Sequence, residues 1–333
     1  MKNIDQKIKN RDAIIGFYSL CLVSLILSFA VPDASVAQNA DSETVILDTG
    51  CGELEGTLLV PNMDQPQPVV LIIAGSGPTD RNGNQQMMMN NSLKYLAEKL
   101  ADLGIASLRF DKRGIAKSSA AMVSESELRF ETYIDDAAGW INFLKEDSRF
   151  SGVVVAGHSE GSLIGMVAAR QAGAFGFISI AGAGRSMDQL IRTQLQNQPA
   201  FVLDEALPIL DKLAEGELVD EVSPMLQSLF RESVQPYLIS QFRYHPTEEL
   251  QKLEMPVMIV QGTTDIQIEV SEAELLHEAL PGAKLKLFEG MNHILKDSPA
   301  DFQQNLATYN NPDLPLFSGL SESISGFIGG INF

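Results

Sequence analysis

One stretch constrains the chain more than any other: Val153-Val154-Val155-Ala156-Gly157-His158-Ser159-Glu160-Gly161-Ser162-Leu163. A β-branched apolar run too short for a helix of its own meets Gly-x-Ser-x-Gly, and the small-residue, helix-compatible segment Ser162 to Ala172 follows. Passing from strand to helix in so few residues holds the middle residue at strained backbone angles. Gly157 and Gly161 flank Ser159 because bulkier neighbours would clash. Such a turn pushes a hydroxyl out at the carboxyl end of a sheet. It also puts the backbone N–H of Glu160 at a helix N-terminus, aimed where negative charge would develop on an attacked carbonyl oxygen. The five-residue pattern recurs by chance in many chains, but the strand before it and the helix after it make this one a nucleophile elbow.

The rest of the chain supplies a sheet for that elbow. Thr44 to Leu47 and Leu54 to Val60 read as two strands joined by Asp48-Thr49-Gly50-Cys51-Gly52, a hairpin signal. Val69 to Ala74 is apolar on both faces, as a central parallel strand should be, and ends in the glycine-rich Gly75-Ser76-Gly77-Pro78-Thr79-Asp80-Arg81-Asn82-Gly83-Asn84. That loop is either a tight turn or backbone brought close to a ligand. Helix Ser92 to Leu103, strand Ile105 to Phe110, helix Phe130 to Lys145, the elbow strand and strand Ala174 to Ala181 continue the alternation. Asp111-Lys112-Arg113 reads as an ion-paired turn that holds its loop.

The rhythm breaks from about residue 183 to 253. There the amphipathic segments Met187 to Gln196, Leu203 to Leu213 and Val222 to Phe230 occur without a convincing strand. An excursion of this kind between strands of a parallel sheet is expected to cap the sheet's carboxyl edge; an ordinary helical layer is the other option. Strand Pro256 to Gly262, helix Val270 to Leu280 and strand Lys284 to Phe288 resume the pattern, and Ser318 to Phe333 closes it as a helix. The expected class is therefore α/β, a mostly parallel, doubly wound sheet with an inserted helical cap.

The amino terminus has the order of a secretory signal peptide. Lys2, Lys7, Lys9 and Arg11 precede an uncharged apolar run from Ala13 to Val31, and Ala34-Ser35-Val36-Ala37 offers small residues for a cut after Ala37. Residues 1–37 are thus expected to be removed on export, leaving one domain over 38–333, periplasmic or secreted. The apolar run is close to membrane-spanning length, so a retained anchor over residues 13–31 is the alternative. The formal charge of −19 becomes −20 without those residues, since four basic and three acidic groups leave together. So acidic a surface excludes nucleic acid and anionic lipid surfaces as partners. Cys51 is then the one remaining cysteine, so the fold relies on its core rather than on an internal disulfide.

A serine hydroxyl is a weak nucleophile unless a base adjoins it and a carboxylate orients that base. Of four histidines, His158 lies inside the elbow with its ring expected to point away and fill space. His245 is expected at the surface or in the cap, and His277 falls mid-helix between Glu274 and Glu278 and reads as solvated. Only His293 occupies a loop just beyond a strand, following Gly290. Asp265 ends the preceding strand. Ser159, Asp265 and His293 therefore emerge at one sheet edge, in the chain order that goes with this kind of elbow.

On these residues the chain resembles the α/β-hydrolase superfamily, and within it the serine esterases and the S33-type serine aminopeptidase-like group. The resemblance covers roughly residues 42 to 333. It rests on Gly75-Ser76-Gly77-Pro78 with Asp80-Arg81, Asp111-Lys112-Arg113-Gly114, Gly157-His158-Ser159-Glu160-Gly161, Gly262-Thr263-Thr264-Asp265 and Gly290-Met291-Asn292-His293. It implies acyl transfer to water without metal or cofactor, with Ser159 as nucleophile, His293 as base and then acid, and Asp265 orienting the imidazole. It further implies an oxyanion hole from the N–H groups of Glu160 and Ser76. Gly77 is the alternative donor, because Ala74-Gly75 stands where many members have His-Gly. The expected partner is a small-molecule ester of a small or medium acyl group. Cleavage of amino-terminal residues from peptides is the near alternative, and a non-catalytic binding protein of the same fold the distant one.

Overall fold

The computed structural model describes residues 40–196 and 198–333. The signal-peptide and anchor assignments lie outside these residues. Among the described residues no helix is long and apolar enough to cross a membrane.

The chain divides into two compact units. The larger holds residues 40–123, Glu131–Arg185 and Tyr244–Phe333. Its eight-stranded sheet has the order β1-β2-β4-β3-β5-β6-β7-β8, with β1 at Ala40–Asp48, β2 at Glu53–Pro61, β3 at Gln67–Ile73 and β4 at Ala106–Phe110. β5 spans Phe150–His158, β6 Gly176–Ile180, β7 Val257–Gly262 and β8 Lys284–Phe288. β2 runs antiparallel to both β1 and β4, and the pairings from β4 across to β8 are parallel. In β3, β5, β6 and β7 every residue from Val69 to Ile73, Val153 to His158, Gly176 to Ile180 and Val257 to Gly262 is buried, which is why these strands are apolar runs rather than alternating ones.

Helices cover both faces. On one, Val70 and Ile72, Val154 and Ala156, Ile178 and Ile180, and Met258 and Val260 join a cluster with Leu93, Leu96 and Leu100 of α1 (Ser92–Asp102). Leu320, Ile324 and Ile328 of the carboxyl-terminal helix Leu320–Ile328 belong to the same cluster. On the other face lies the helix after the elbow. Its Gly165 sits so close to Val155, Phe177 and Ile73 that an added Cβ would come within 3.0 Å of the Val155 side chain. α2 (Phe130–Lys145) buries Trp140 completely, 5.7 Å from Phe110 between ring centroids.

The three charges after β4 do not pair with one another as a turn. Asp111 Oδ2 accepts from Arg81 at 2.6 Å, and Arg113 donates to Asp136 Oδ1 at 2.6 Å. Ala116 in the same loop has φ 43°, an uncommon value for a residue with a side chain.

The smaller unit comprises Ser124–Phe130 and Ser186–Arg243 among the described residues. It is helical, as the loss of strand signal there implies. Ile191 of α4 (Met187–Leu195), Val202, Ala206, Ile209, Leu210 and Leu213 of α5 (Ala200–Ala214) and Leu238, Ile239 and Phe242 of α7 (Gln235–Phe242) form its core. Of the segment expected to be helical from Val222, only Gln227–Phe230 (α6) is so. The buried amide of Gln235 bridges the chain instead, accepting from the Val219 N–H at 2.8 Å and donating to the carbonyls of Val219 and Phe230. Residues 244 to 253, expected in the excursion, belong to the larger unit and carry α8 (Pro246–Gln251).

Candidate active site

The elbow forms where its sequence implies. β5 ends at His158, α3 (Glu160–Ala172) begins at Glu160, and Ser159 between them has φ 55° and ψ −123°. This is a strained conformation for a residue with a side chain. The two glycines pack backbone on backbone. A Cβ on Gly157 would lie 2.1 Å from the Gly161 carbonyl oxygen, and one on Gly161 would lie 2.4 Å from that of Ile73 at the end of β3. The Ser159 N–H donates to the Ile180 carbonyl at 2.9 Å, which fixes the turn to β6.

Asp265 and His293 meet. His293 Nδ1 lies 2.8 Å from Asp265 Oδ2, with the side chains 6% and 0% exposed. Asp265 Oδ1 accepts from the N–H groups of Gln267 at 2.8 Å and Ile268 at 2.9 Å. Burial alone would raise the pKa of this carboxyl. The neighbouring His293 and the bonds from His293, Ile268 and Gln267 outweigh it and hold the group below the usual carboxylate range, so it is ionised at neutral pH. An ionised carboxylate only accepts, so the imidazole proton resides on Nδ1 and the lone pair on Nε2.

The two loops are fastened to each other. A Cβ on Gly262 would lie 2.1 Å from the Met291 carbonyl oxygen, and the Thr264 N–H donates to that same oxygen at 3.1 Å. Gly290, at φ 83°, donates its N–H to Thr263 Oγ1 at 3.0 Å. Asn305 ties both loops from a short helix, α10 (Phe302–Thr308), the next after α9 (Val270–Ala279). Its Nδ2 donates to the Thr264 carbonyl at 2.7 Å and its Oδ1 accepts from Asn292 at 3.2 Å. Periodicity does not reveal this helix, which is seven residues long. Its one local signal is Asp301, whose side chain accepts from the Gln304 N–H as an N-cap.

His158 is more than filler. Its Nε2 donates to the His293 carbonyl oxygen at 2.8 Å, and the two ring centroids are 4.8 Å apart. The residue preceding Ser159 thus holds the backbone of the residue that would serve as base. Burial, with His293 beside it, pushes the His158 pKa down to about 4, so the ring is neutral at physiological pH. Through this brace the elbow and the His293 loop adjoin. Among the described residues, Ser159 Oγ makes no hydrogen bond to His293. Bonds of this kind often tighten only when substrate is bound.

The other two histidines are elsewhere. His245 is exposed. His277 is half-buried with its Nδ1 enclosed and unpaired, not solvated as its neighbours suggest.

Glu160 is the first residue of α3, so its N–H lies at the helix start, next to Ser159. Ser76 and Gly77 are exposed in the loop after β3, and Gly77 has φ 68°. Gly75 before them is buried against the elbow, where an added Cβ would stand 3.0 Å from Ser159 Cβ. Ser76 is the residue that directly follows this contact, and Gly77 lies one residue further from it. Ser76 is itself held by Thr79, whose hydroxyl donates to the Ser76 carbonyl at 2.8 Å. Together these groups could generate an oxygen nucleophile and receive the negative charge its attack creates.

Comparison with known proteins bears on this arrangement. A family model described as serine aminopeptidase, S33, matches residues 89–235. The esterase EstD of Thermotoga maritima is 26% identical over 265 residues, 75% of this chain and 61% of that protein. This chain therefore spans about three-fifths of the relative's length. Among solved structures it is similar to Est1E from Butyrivibrio proteoclasticus, with a TM-score of 0.56 at 18% identity over 86% of this chain and 99% of the other. It is also similar to a dienelactone hydrolase from Anabaena variabilis, with a TM-score of 0.54 at 15% identity over 89% and 100%. At those identities the likeness is one of fold.

Proposed function

Because this chain belongs to the α/β-hydrolase superfamily, we propose that it is an exported serine hydrolase that cleaves carboxylic esters of small to medium acyl groups through an acyl-enzyme on Ser159. The supporting observation is the Asp265–His293 pair at 2.8 Å, held by His158 beside a serine with φ 55°. Ser159 Oγ attacks the ester carbonyl carbon while its proton passes to His293 Nε2. The electron pair of the C=O bond moves to oxygen, which faces the N–H groups of Glu160 and Ser76, or of Gly77 in place of Ser76. The intermediate collapses, the C–O bond to the alcohol breaks, and the departing oxygen takes the proton from His293. Water then attacks the acyl group on Ser159 with His293 again as base, releasing the acid and restoring the serine. Asp265 stays ionised throughout and stabilises the imidazolium.

The relative named as an esterase supports ester over amide. The match to the S33 model over 89–235 favours a second reading, an aminopeptidase-like amide hydrolase. A peptidase of that kind needs carboxylates to bind a free amino terminus. The acidic residues of the helical unit, Asp204, Glu205, Glu215, Glu217, Asp220 and Glu221, are all exposed to solvent, as an ordinary helix surface would be.

Turnover of p-nitrophenyl acetate and butyrate against aminoacyl p-nitroanilides separates the two, and faster anilide cleavage would reverse the order. A fluorophosphonate probe should label the native protein and not Ser159→Ala. No labelling, or labelling that survives the substitution, would count against catalysis by Ser159, and no labelling would favour a binding protein of the same fold. Ser159→Ala and His293→Ala should each lower kcat by at least about a thousandfold and leave the circular dichroism spectrum unchanged. Export rests on the basic, apolar and small-residue order of residues 1–37. An exported protein that begins at Gln38 agrees with cleavage, and one that begins at Met1 does not.

A further inference from the structure

A buried ammonium is costly unless its charge is engaged, so its partners indicate why it is there. Lys112, 2% exposed, lies in the loop after β4. Its Nζ donates to the Gly75 carbonyl oxygen at 2.5 Å, lies 3.7 Å from Glu160 Oε2 and stands 5.2 Å from the centroid of the Tyr133 ring. The flanking charges are engaged elsewhere, Asp111 with Arg81 and Arg113 with Asp136. Of the three, it is Lys112 that reaches the elbow.

Gly75 and Glu160 belong to the two segments that carry the oxyanion donors. The Gly75 carbonyl and the Ser76 N–H are opposite edges of one planar trans peptide, so they point in opposite directions. Anchoring that carbonyl on the ammonium therefore directs the Ser76 N–H away from Lys112. Glycine before this peptide leaves its rotation otherwise weakly restrained. A flipped peptide would present a carbonyl dipole where a donor is needed. The same ammonium holds the side chain of Glu160, whose own N–H is the second donor.

We propose that Lys112 is a positioning residue of the hydrolytic reaction, fixing the Gly75–Ser76 peptide plane and the Glu160 side chain so that both oxyanion donors converge before the ester arrives. This rests on the serine-hydrolase reading. Lys112 touches neither substrate nor reacting atoms; it acts through the two backbone N–H groups. Its effect belongs to the transition state, where charge resides on the oxygen, and not to ground-state binding.

The test compares wild type, Lys112→Met and Lys112→Arg in turnover of p-nitrophenyl butyrate. It adds inhibition by an aryl trifluoromethyl ketone, whose serine adduct carries an oxyanion. Removing an oxyanion donor outright costs about a hundredfold or more in kcat. Misdirecting one is expected to lower kcat about 10- to 100-fold in Lys112→Met with KM within about threefold of wild type. The ketone should weaken in proportion to kcat/KM, and Lys112→Arg should recover part of both losses. A folded Lys112→Met with wild-type kcat and ketone affinity overturns the role, as does a loss confined to KM. If Lys112→Met does not fold, Lys112→Gln, which keeps a neutral donor, takes its place. The same split is then expected at smaller size, and its absence overturns the role. A wild type that neither cleaves esters nor takes the fluorophosphonate removes the hydrolase reading itself. An active wild type beside an equally active variant removes only the part assigned to Lys112.

Discussion

His158 joins two needs in one ring. Its Nε2 must carry a proton to donate to the His293 carbonyl, and its burial keeps the ring from gaining a second one. The folded-state pKa of about 4 lies below the ordinary 6.5. In the unfolded chain this ring takes up its proton near pH 6.5, so between there and about 4 the unfolded state binds the extra proton and the folded state does not. The stability contributed is therefore complete above about pH 6.5 and lost progressively as pH falls toward 4. Its size is of the order of 3 kcal/mol. Denaturant titrations at pH 7.5 and pH 4.5 should show this fall in wild type and a much smaller one in His158→Gln, which keeps a donor without the titration. An equal fall in both would remove His158 as the cause. Neither this role nor that of Lys112 is legible in the sequence, because the groups they hold, the His293 and Gly75 carbonyls, are 135 and 37 residues away and are backbone atoms. What the Gly-His-Ser order conveys is only that a histidine adjoins the elbow.

At the scale of elements, the strands were legible wherever burial on both faces left a continuous apolar run. Val257–Gly262, buried throughout, falls within a residue of its expected limits; Lys284–Phe288, mostly exposed, falls on its limits through its alternating Lys-Leu-Lys-Leu pattern instead, and α2 also falls on its limits. The helices the sequence does not reveal are short, with eight residues in α7, six in α8 and seven in α10. Their positions depend on partners far along the chain, as Asn305 depends on Thr264. Asp265 and His293 could be chosen because strand ends mark a sheet edge, and the 2.8 Å contact between them is what that edge predicts. The elbow itself depends on two backbones meeting without a methyl group between them. Gly161→Ala would force a Cβ to 2.4 Å from the Ile73 carbonyl oxygen and 2.7 Å from that of Ala74, neither of which can swing aside as a side chain would. A loss of about 3 kcal/mol or more is expected, in the range of the most damaging single substitutions. Urea midpoints check it. Gly326→Ala, also helical but with nothing within 4 Å of the added Cβ, should leave stability nearly unchanged or slightly raised. Equal midpoints for the two variants would show that the elbow can relax.

Over the whole molecule the dominant quantity is charge. Ser76, Ser159, Asp265 and His293 all belong to the larger unit, and the chain that carries them has 43 acidic side chains against 24 basic ones. An excess of this size produces a negative potential around the protein that extends about 10 Å at 0.1 M ionic strength and about 30 Å at 0.01 M. A neutral ester approaches without opposition. An anionic one approaches against the field, and loses encounters rather than chemistry, so the penalty falls on kcat/KM and not on kcat. Raising ionic strength from 0.01 M to 0.15 M should therefore raise kcat/KM for p-nitrophenyl hemisuccinate by roughly tenfold. It should change that for p-nitrophenyl butyrate by less than about twofold, since there is no charge to screen. Steady-state rates at four or five salt concentrations measure both. Salt that slowed the anionic ester would mean a positive local field at the mouth of the site, and the net charge would then have no say in which esters this protein accepts.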